Sequence, residues 1–230
     1  MIYFNLMMNF ESGYQYFDSL ERAKHPVVSR YCRRELWVVK AQMLMALDRH
    51  AEAVDYLNRA MALKDENNDP LSEIFCTATA GITYMGVDTI STRAESAFRR
   101  ACRVAERSGL SNYWLYPQAI GRLADIYLQQ GKYEESISLC REAIRLCEKS
   151  GSYHGKLVVA EILTEAYRLL GLYDEAFRYC AVGTGEPARA EVDNNLIGRF
   201  FIAKAEIHNN LNRPDSALLV LAQADSCFDR

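Results

Sequence analysis

No stretch of this 230-residue chain approaches the ~20 consecutive apolar residues that a membrane-spanning helix needs. Lys40 interrupts the apolar run from Val38 to Leu47, and Lys204 interrupts the one from Phe200 to Ile207. The apolar start, Met1-Ile2-Tyr3-Phe4-Asn5-Leu6-Met7-Met8, lacks the basic flank and small-residue cleavage site of a signal peptide, so it reads as structure. An excess of one charge is also missing. The chain has 27 Lys and Arg against 30 Asp and Glu, a net −3, which gives no case for nucleic acid or an anionic membrane as a direct partner. The four histidines, His25, His50, His154 and His208, show no HExxH or His-x-His spacing, and no metal site is expected. The seven cysteines, Cys32, Cys76, Cys102, Cys140, Cys147, Cys180 and Cys227, form no CxxC pair, and their odd number argues against a disulfide framework. Several stand where a helix face expects a small apolar residue, so buried free thiols in a reducing, cytoplasmic compartment are expected. A soluble domain of a membrane-anchored protein is the alternative.

Catalytic motifs are absent as well. There is no GxSxG, Walker-type or GxGxxG sequence, and Gly183-Thr184-Gly185 lies between two helical patterns rather than after a strand. No nucleophile, base and orienting group can be assembled, so the chain is expected to have neither enzymatic activity nor a cofactor.

What is present is a repeat. A small residue, a bulky apolar residue four later and usually a second small residue three after that recur six times. The instances are Gly13/Phe17/Leu20, Ala53/Leu57/Ala60, Ala94/Phe98/Ala101, Ser136/Cys140/Ala143, Ala176/Cys180/Gly183 and Ala217/Leu221/Ala224, with steps of 40, 41, 42, 40 and 41 between first residues. Spacings of four and seven put all three residues on one stripe of an α-helix, where small side chains let a neighbouring backbone come close. Upstream of each outer helix lies a second pattern, a small residue followed three later by a large one: Ala41/Leu44, Gly81/Tyr84, Ala124/Tyr127, Thr164/Tyr167 and Ala205/His208. These mark inner helices. Gly131-Lys132-Tyr133, Gly171-Leu172-Tyr173 and Asn212-Arg213-Pro214 supply turns in which Gly or Asn takes a positive φ. His25-Pro26, Asn67-Asn68-Asp69-Pro70, Ser108-Gly109, Ser150-Gly151 and Gly183 to Pro187 break the chain between units.

The patterns predict helices at roughly 35–47, 50–64, 72–86, 92–108, 113–130, 133–149, 154–170, 173–182, 190–210 and 214–228. The expected fold is all-α: a single right-handed α-α superhelix, or solenoid, of about five to six helix-turn-helix repeats. Its units fall at about 1–28 (partial), 29–69, 70–110, 111–151, 152–188 and 189–230.

Leu123-Ala124-x-x-Tyr127 followed by Gly131-x-Tyr133-x-x-Ser136 and Ala143 resembles the signature of the tetratricopeptide repeat family. Leu163, Tyr167, Gly171, Tyr173 and Ala176 match it too, and Trp37, Ala41, Ala53 and Ala60 match in part. The period of 40 to 42 exceeds the family's 34, which implies longer helices, and the usual Pro after Ala143 is missing, with Glu148 near its place. Longer units of this kind resemble those of bacterial regulatory proteins, where the array sits beside a DNA-binding or kinase module. The first outer-helix pattern has room for only about half an inner helix before it. The apolar Ile2, Phe4, Leu6 and Phe10 therefore call for upstream sequence or a different local packing, and the outer helix ending near Phe228 calls for something after it.

The resemblance implies a protein or peptide partner held in a concave groove lined by inner helices. Counting from the small packing residues to the opposite helix face selects Gln42 with Met45, Phe75, Thr79, Gln118, Arg122, Asp125, Glu161, Glu165, Arg168, Arg199, Glu206 and Asn209. The lysine and asparagine clamp by which some members of the family hold a peptide carboxylate is missing. Val38, Gln42, Thr79, Gln118 and Arg122 stand there instead. Arg122, Arg168 and Arg199 suit acidic groups on a partner and Asp125, Glu161 and Glu165 basic ones, although Glu165 and Arg168 are equally spaced to pair with each other. Elsewhere bland readings prevail: His50 and His208 replace the tyrosines of sister repeats in packing, and Arg99, Arg103 and Arg107 belong to a mixed surface.

The sequence thus points to a non-enzymatic interaction scaffold or sensor array, part of a larger bacterial signalling or transcription-regulatory protein. A structural spacer or self-association module, forming a homo-oligomer through exposed end repeats, is the alternative, and a phosphatase-like regulator on the same repeat is a more distant one.

Overall fold

The computed structural model describes residues 10–23, 30–63, 69–88, 92–185 and 194–228, with residues 30–32 described by backbone alone. Among the described residues every element is a helix: α1 (Phe10–Arg22), α2 (Arg30–Ala46), α3 (His50–Ala62), α4 (Pro70–Val87), α5 (Thr92–Arg107), α6 (Leu115–Gln129), α7 (Tyr133–Ser150), α8 (Tyr153–Leu169), α9 (Tyr173–Thr184), α10 (Asn194–Asn210) and α11 (Pro214–Phe228). Two compact units, residues 1–119 and 120–230, divide the chain, and their boundary falls within α6. The early apolar residues Ile2, Phe4 and Leu6 and the breakers His25-Pro26, Asn67-Asn68 and Glu186-Pro187 lie outside the described residues.

Four inner helices end alike. The carbonyls of Leu44, Tyr127, Tyr167 and His208 each accept a 2.9 Å bond from the amide five residues on, in Arg49, Lys132, Leu172 and Arg213. This is the six-to-one bond of a Schellman ending, and it requires a residue in the left-handed region. Gly131 (φ 74°), Gly171 (72°) and Asn212 (54°) supply it as expected, and Asp48 (58°) adds a fourth. Asp is one of the few side chains that tolerate that conformation. Before α4, the Asp69 side chain accepts from the Leu71 amide at 3.0 Å with Pro70 at the first helical position, an N-cap that starts the helix.

The small residues of the repeat pack helix on helix. Ser136 on α7 donates its hydroxyl to the Ala124 carbonyl of α6 at 2.7 Å, a bond open only to closely approached backbones. The same twelve-residue separation relates Ala53 to Ala41, Ala176 to Thr164 and Ala217 to Ala205, all buried. The next interface is just as tight. The Cys180 thiol donates to the Phe200 carbonyl at 3.0 Å, Leu157, Ala160, Cys180, Leu196 and Phe200 form one cluster, and a Cβ on Gly183 would run into the Phe200 ring. Each fully buried Leu or Phe contributes about 1.5–3 kcal/mol.

One packing position differs from its expectation. Leu221 is exposed, and Val220 joins Ile197, Phe201, Ala205, Ala217 and Ala224 instead. Among the described residues α11 packs only on α10, so the far side of its stripe is uncovered.

Burial pushes the thiols of Cys76, Cys140 and Cys180 up to about 12. It raises that of Cys147 as well. With so little thiolate at neutral pH, these four are expected to resist iodoacetamide in the folded protein, while half-buried Cys227 is alkylated before them. Peptide mass spectrometry would show the order, and early labelling of Cys140 or Cys180 would contradict this packing.

Candidate interaction face of the inner helices

In the second unit, α6, α8 and α10 carry charged residues on the helix face away from their small packing residues. Along α8, positions 161, 165 and 168 share a stripe because three- and four-residue steps return to one side of a helix. Glu161 at its upper end, only 16% exposed, pairs with Arg199 of α10 at 2.5 Å. Burial raises the Glu161 carboxyl above its ordinary range. Arg199 pulls it down, Asp125 adds a like charge and Arg122 opposes, yet the net shift is upward. Lower on the stripe, Arg168 grips Glu165 with two parallel bonds, Nε at 2.7 Å and Nη2 at 2.6 Å. Its Nε also faces Glu206 of α10 at 3.2 Å. The bond to Glu165 holds the guanidinium above its usual value, so it stays charged. Arg199 is 63% exposed and Glu206 also lies in solvent, so both can turn outward. Asn209 is exposed on the last turn of α10.

Eight of the selected residues thus lie on one unit: Arg122, Asp125, Glu161, Glu165, Arg168, Arg199, Glu206 and Asn209. In the first unit the selection is sparser. Gln42 on α2 and Gln118 on α6 are exposed, and Phe75 on α4 is half-buried. Thr79 is corrected: it is 3% exposed and offers no surface to a ligand. Ten residues between Ser72 and Tyr84 are buried, which covers α4 all round, whereas the count from Gly81 assumed one free face. Two of its buried hydroxyls are satisfied within the helix, Thr77 by the Glu73 carbonyl at 2.6 Å and Thr83 by that of Thr79 at 3.0 Å.

Two ionic clusters escaped the sequence reading. Lys40, there only the break in an apolar run, is fully buried and donates to Asp18 at 3.0 Å and Glu21 at 2.8 Å on α1. Its ammonium lies 4.4 Å from the centroid of the Tyr56 ring. Glu73 on α4 pairs with buried Arg34 of α2 at 2.5 Å and with Arg100 of α5, while among the described residues Arg34 Nε and Nη2 have no hydrogen-bond partner. A charged residue at a core register was the available signal in both cases. Arg99 pairs with Glu95 at 2.9 Å, in keeping with a mixed surface. His208 packs on Phe177 at 5.1 Å, but His50 is exposed and sits beside Asp48, because it opens α3 directly after the turn.

The arrangement suits recognition. Paired Glu161 and Glu165 each face a guanidinium rather than a nucleophile. Among the described residues no three His, Cys, Asp or Glu are grouped to hold a metal, and no helix is long and apolar enough to cross a membrane.

Comparison with known proteins bears on the repeat directly. Residues 35–67, from α2 and α3, and residues 116–179, from α6 to α9, match tetratricopeptide repeat models. No curated protein matches the chain. Among solved structures, BtubC (BKLC) from P. vanneervenii is similar over 97% of this chain and 91% of its own, at 16% identity and a TM-score of 0.78. A variant of the nearly identical TPR-like repeats of a Podosopora anserina putative kinesin light chain matches 86% of this chain and 96% of its own, at 15% identity and 0.70. A Signal Transduction ATPase with Numerous Domains from Pyrococcus horikoshii, which has a tetratricopeptide repeat sensor, matches 96% of this chain with 40% of its own, at 16% identity and 0.68. At these identities the likeness establishes the fold. With matches in both of its units and this fold throughout, the chain carries tetratricopeptide repeats at residues 35–67 and 116–179 within an all-α repeat fold.

Proposed function

We propose that the chain is a non-enzymatic recognition scaffold that holds a protein segment against the inner helices α6, α8 and α10. Tetratricopeptide repeats generally act as scaffolds that bind proteins or peptides. The observation that carries the reading here is the charged ladder, in which a carboxylate raised by burial and an exposed arginine are kept on a surface that packing does not need. A segment with a basic group would meet Glu161 and Asp125, and one with an acidic group would meet Arg199 and Arg168, displacing the weaker internal pairs. Likeness of fold to a chain with a tetratricopeptide repeat sensor supports a sensing or regulatory setting, as in a bacterial signalling or transcription-regulatory protein. A cytoplasmic location fits the free thiols.

Self-association is the second reading. It is favoured by α11, whose Leu218 and Leu219 are 66% and 68% exposed. One comparison separates the two. Arg122→Ala with Glu165→Ala is expected to leave the helical circular dichroism unchanged while weakening partner capture about tenfold or more, as loss of a central charged contact does. Capture scored by cross-linking mass spectrometry and indifferent to the double substitution would move binding off this face and favour self-association.

A further inference from the structure

A second feature of the same unit lies on another side of α8. Between α7 and α9 is a cavity of about 620 Å³ over the first half of α8, a size that admits a side chain with its neighbours or a drug-sized molecule. Lys156 and Ala160 line it from α8, about 140° around the helix from Glu161 and Glu165. Its remaining walls are apolar, Ile144 from α7 and Tyr179 and Val182 from α9. The rim is basic: Arg141 and Arg145 one turn apart on α7, Lys156 on α8 and Arg178 on α9, against Glu148 alone.

Two of these cations are already compensated. Lys156 bonds Glu148 at 2.6 Å, and Arg178 pairs with Glu175 at 3.2 Å. The other two are not. Arg141 donates to a neutral group, the Tyr167 hydroxyl at 2.8 Å, and Arg145 has no ion pair among the described residues. Tyr167 in turn stacks on Tyr179, with centroids 5.6 Å apart and planes 7° from parallel, so Arg141 is anchored to an aromatic wall. Two uncompensated positive charges therefore stand beside an apolar cavity in a chain whose net charge is −3.

We propose that this cavity is a recognition site for an acidic peptide segment, whose aromatic or aliphatic side chain fills the cavity while a flanking carboxylate meets Arg141 and Arg145. Charge and shape together select that occupant. An inorganic anion would leave the apolar walls wet, and an uncharged ligand would desolvate arginines without pairing them. Nucleic acid needs a basic track along its backbone, whereas these cations ring one cavity and are flanked by Glu148 and Glu175. The site is independent of the inner-helix face and stands or falls separately from it.

The test is an NMR titration of the full chain with a short peptide of alternating Glu and Phe. Controls are the matching Lys and Phe peptide, a Glu and Ala peptide, and oligothymidylate. The Glu and Phe peptide should shift amides of α7, α9 and the start of α8 saturably. Arg141→Gln with Arg145→Glu, both on the surface and the first still able to donate to Tyr167, should weaken that binding about tenfold. The Glu and Ala peptide should bind wild type more weakly by a similar factor, and Arg122→Ala with Glu165→Ala should bind like wild type. Absence of saturable shifts at millimolar peptide, equal binding by the Arg141/Arg145 variant, shifts confined to the inner-helix face, or preference for oligothymidylate would each overturn the proposal.

Discussion

Replacing Lys40 by Met is expected to destabilise the first unit by about 3 kcal/mol, although Met fills much of the same space. Lys40 has no exposed surface, and its ammonium is held by Asp18 and Glu21. The substitution leaves two carboxylates facing an apolar side chain. Both are partly exposed, so water recovers some of their solvation, which keeps the loss at the lower end for a broken buried pair. Adding Asp18→Asn and Glu21→Gln to Lys40→Met should restore much of the loss, because no uncompensated charge then remains. A triple variant as unstable as the single one would mean that shape, not charge, sets the effect.

The pH dependence of the same cluster has a definite sign. Burial alone would lower the pKa of Lys40, but bonds to Glu21, Tyr56 and Asp18 outweigh it and the net shift is upward. Its contribution is therefore complete below the ordinary lysine value of about 10.4 and is lost as pH rises through the higher folded value. For Glu21, burial raises and the bonds from Lys40 and Trp37 lower more strongly, so the net shift is downward. That contribution is present above the ordinary value of about 4.3 and is lost as pH falls through the lower folded one. The stability gap between wild type and Lys40→Met, measured by urea unfolding, should accordingly be widest between these limits and narrow on both sides.

Ala176→Glu should cost the second unit at least about 4 kcal/mol, the sum of overpacking a filled crossing and burying an unpaired carboxylate. Ala176 is fully buried and stands to Thr164 as Ser136 stands to Ala124, where hydroxyl and carbonyl are bonded across the two helices. There is no room for four more heavy atoms and no water for the charge. Exposed Asp174→Ala, two residues away, should stay within about 0.5 kcal/mol, as surface changes do. Tolerance of Ala176→Glu in thermal unfolding would mean that the small residues do not mark the crossings.

Much of this fold is legible residue by residue. Ala53, Ala94, Ser136, Ala176 and Ala217 are all buried, and Gly131, Gly171 and Asn212 all adopt the backbone their turns require. The interaction face is less legible. The heptad-like count to the far face reached Glu161, Glu165 and Arg168 correctly as one stripe, yet placed Thr79 there as well, since the count cannot tell a helix covered on one side from one covered all round. It likewise left open whether Glu165 pairs with Arg168 or with a ligand. The structure shows the internal pair, together with Glu206 from the next inner helix.

The sequence by itself determined the period, the helix-turn-helix unit, the sites of chain reversal and the small residues at the helix crossings. All of these follow from local geometry: 3.6 residues per turn, and the few side chains that tolerate positive φ. Only the tertiary structure decided which charges are buried and with whom they pair. Lys40 meets carboxylates 19 and 22 residues away on α1, and Arg199 meets Glu161 from the neighbouring inner helix. Those pairings depend on the azimuth at which separate helices meet and on how much water is left between them, and neither quantity is written in the spacing of residues along one helix.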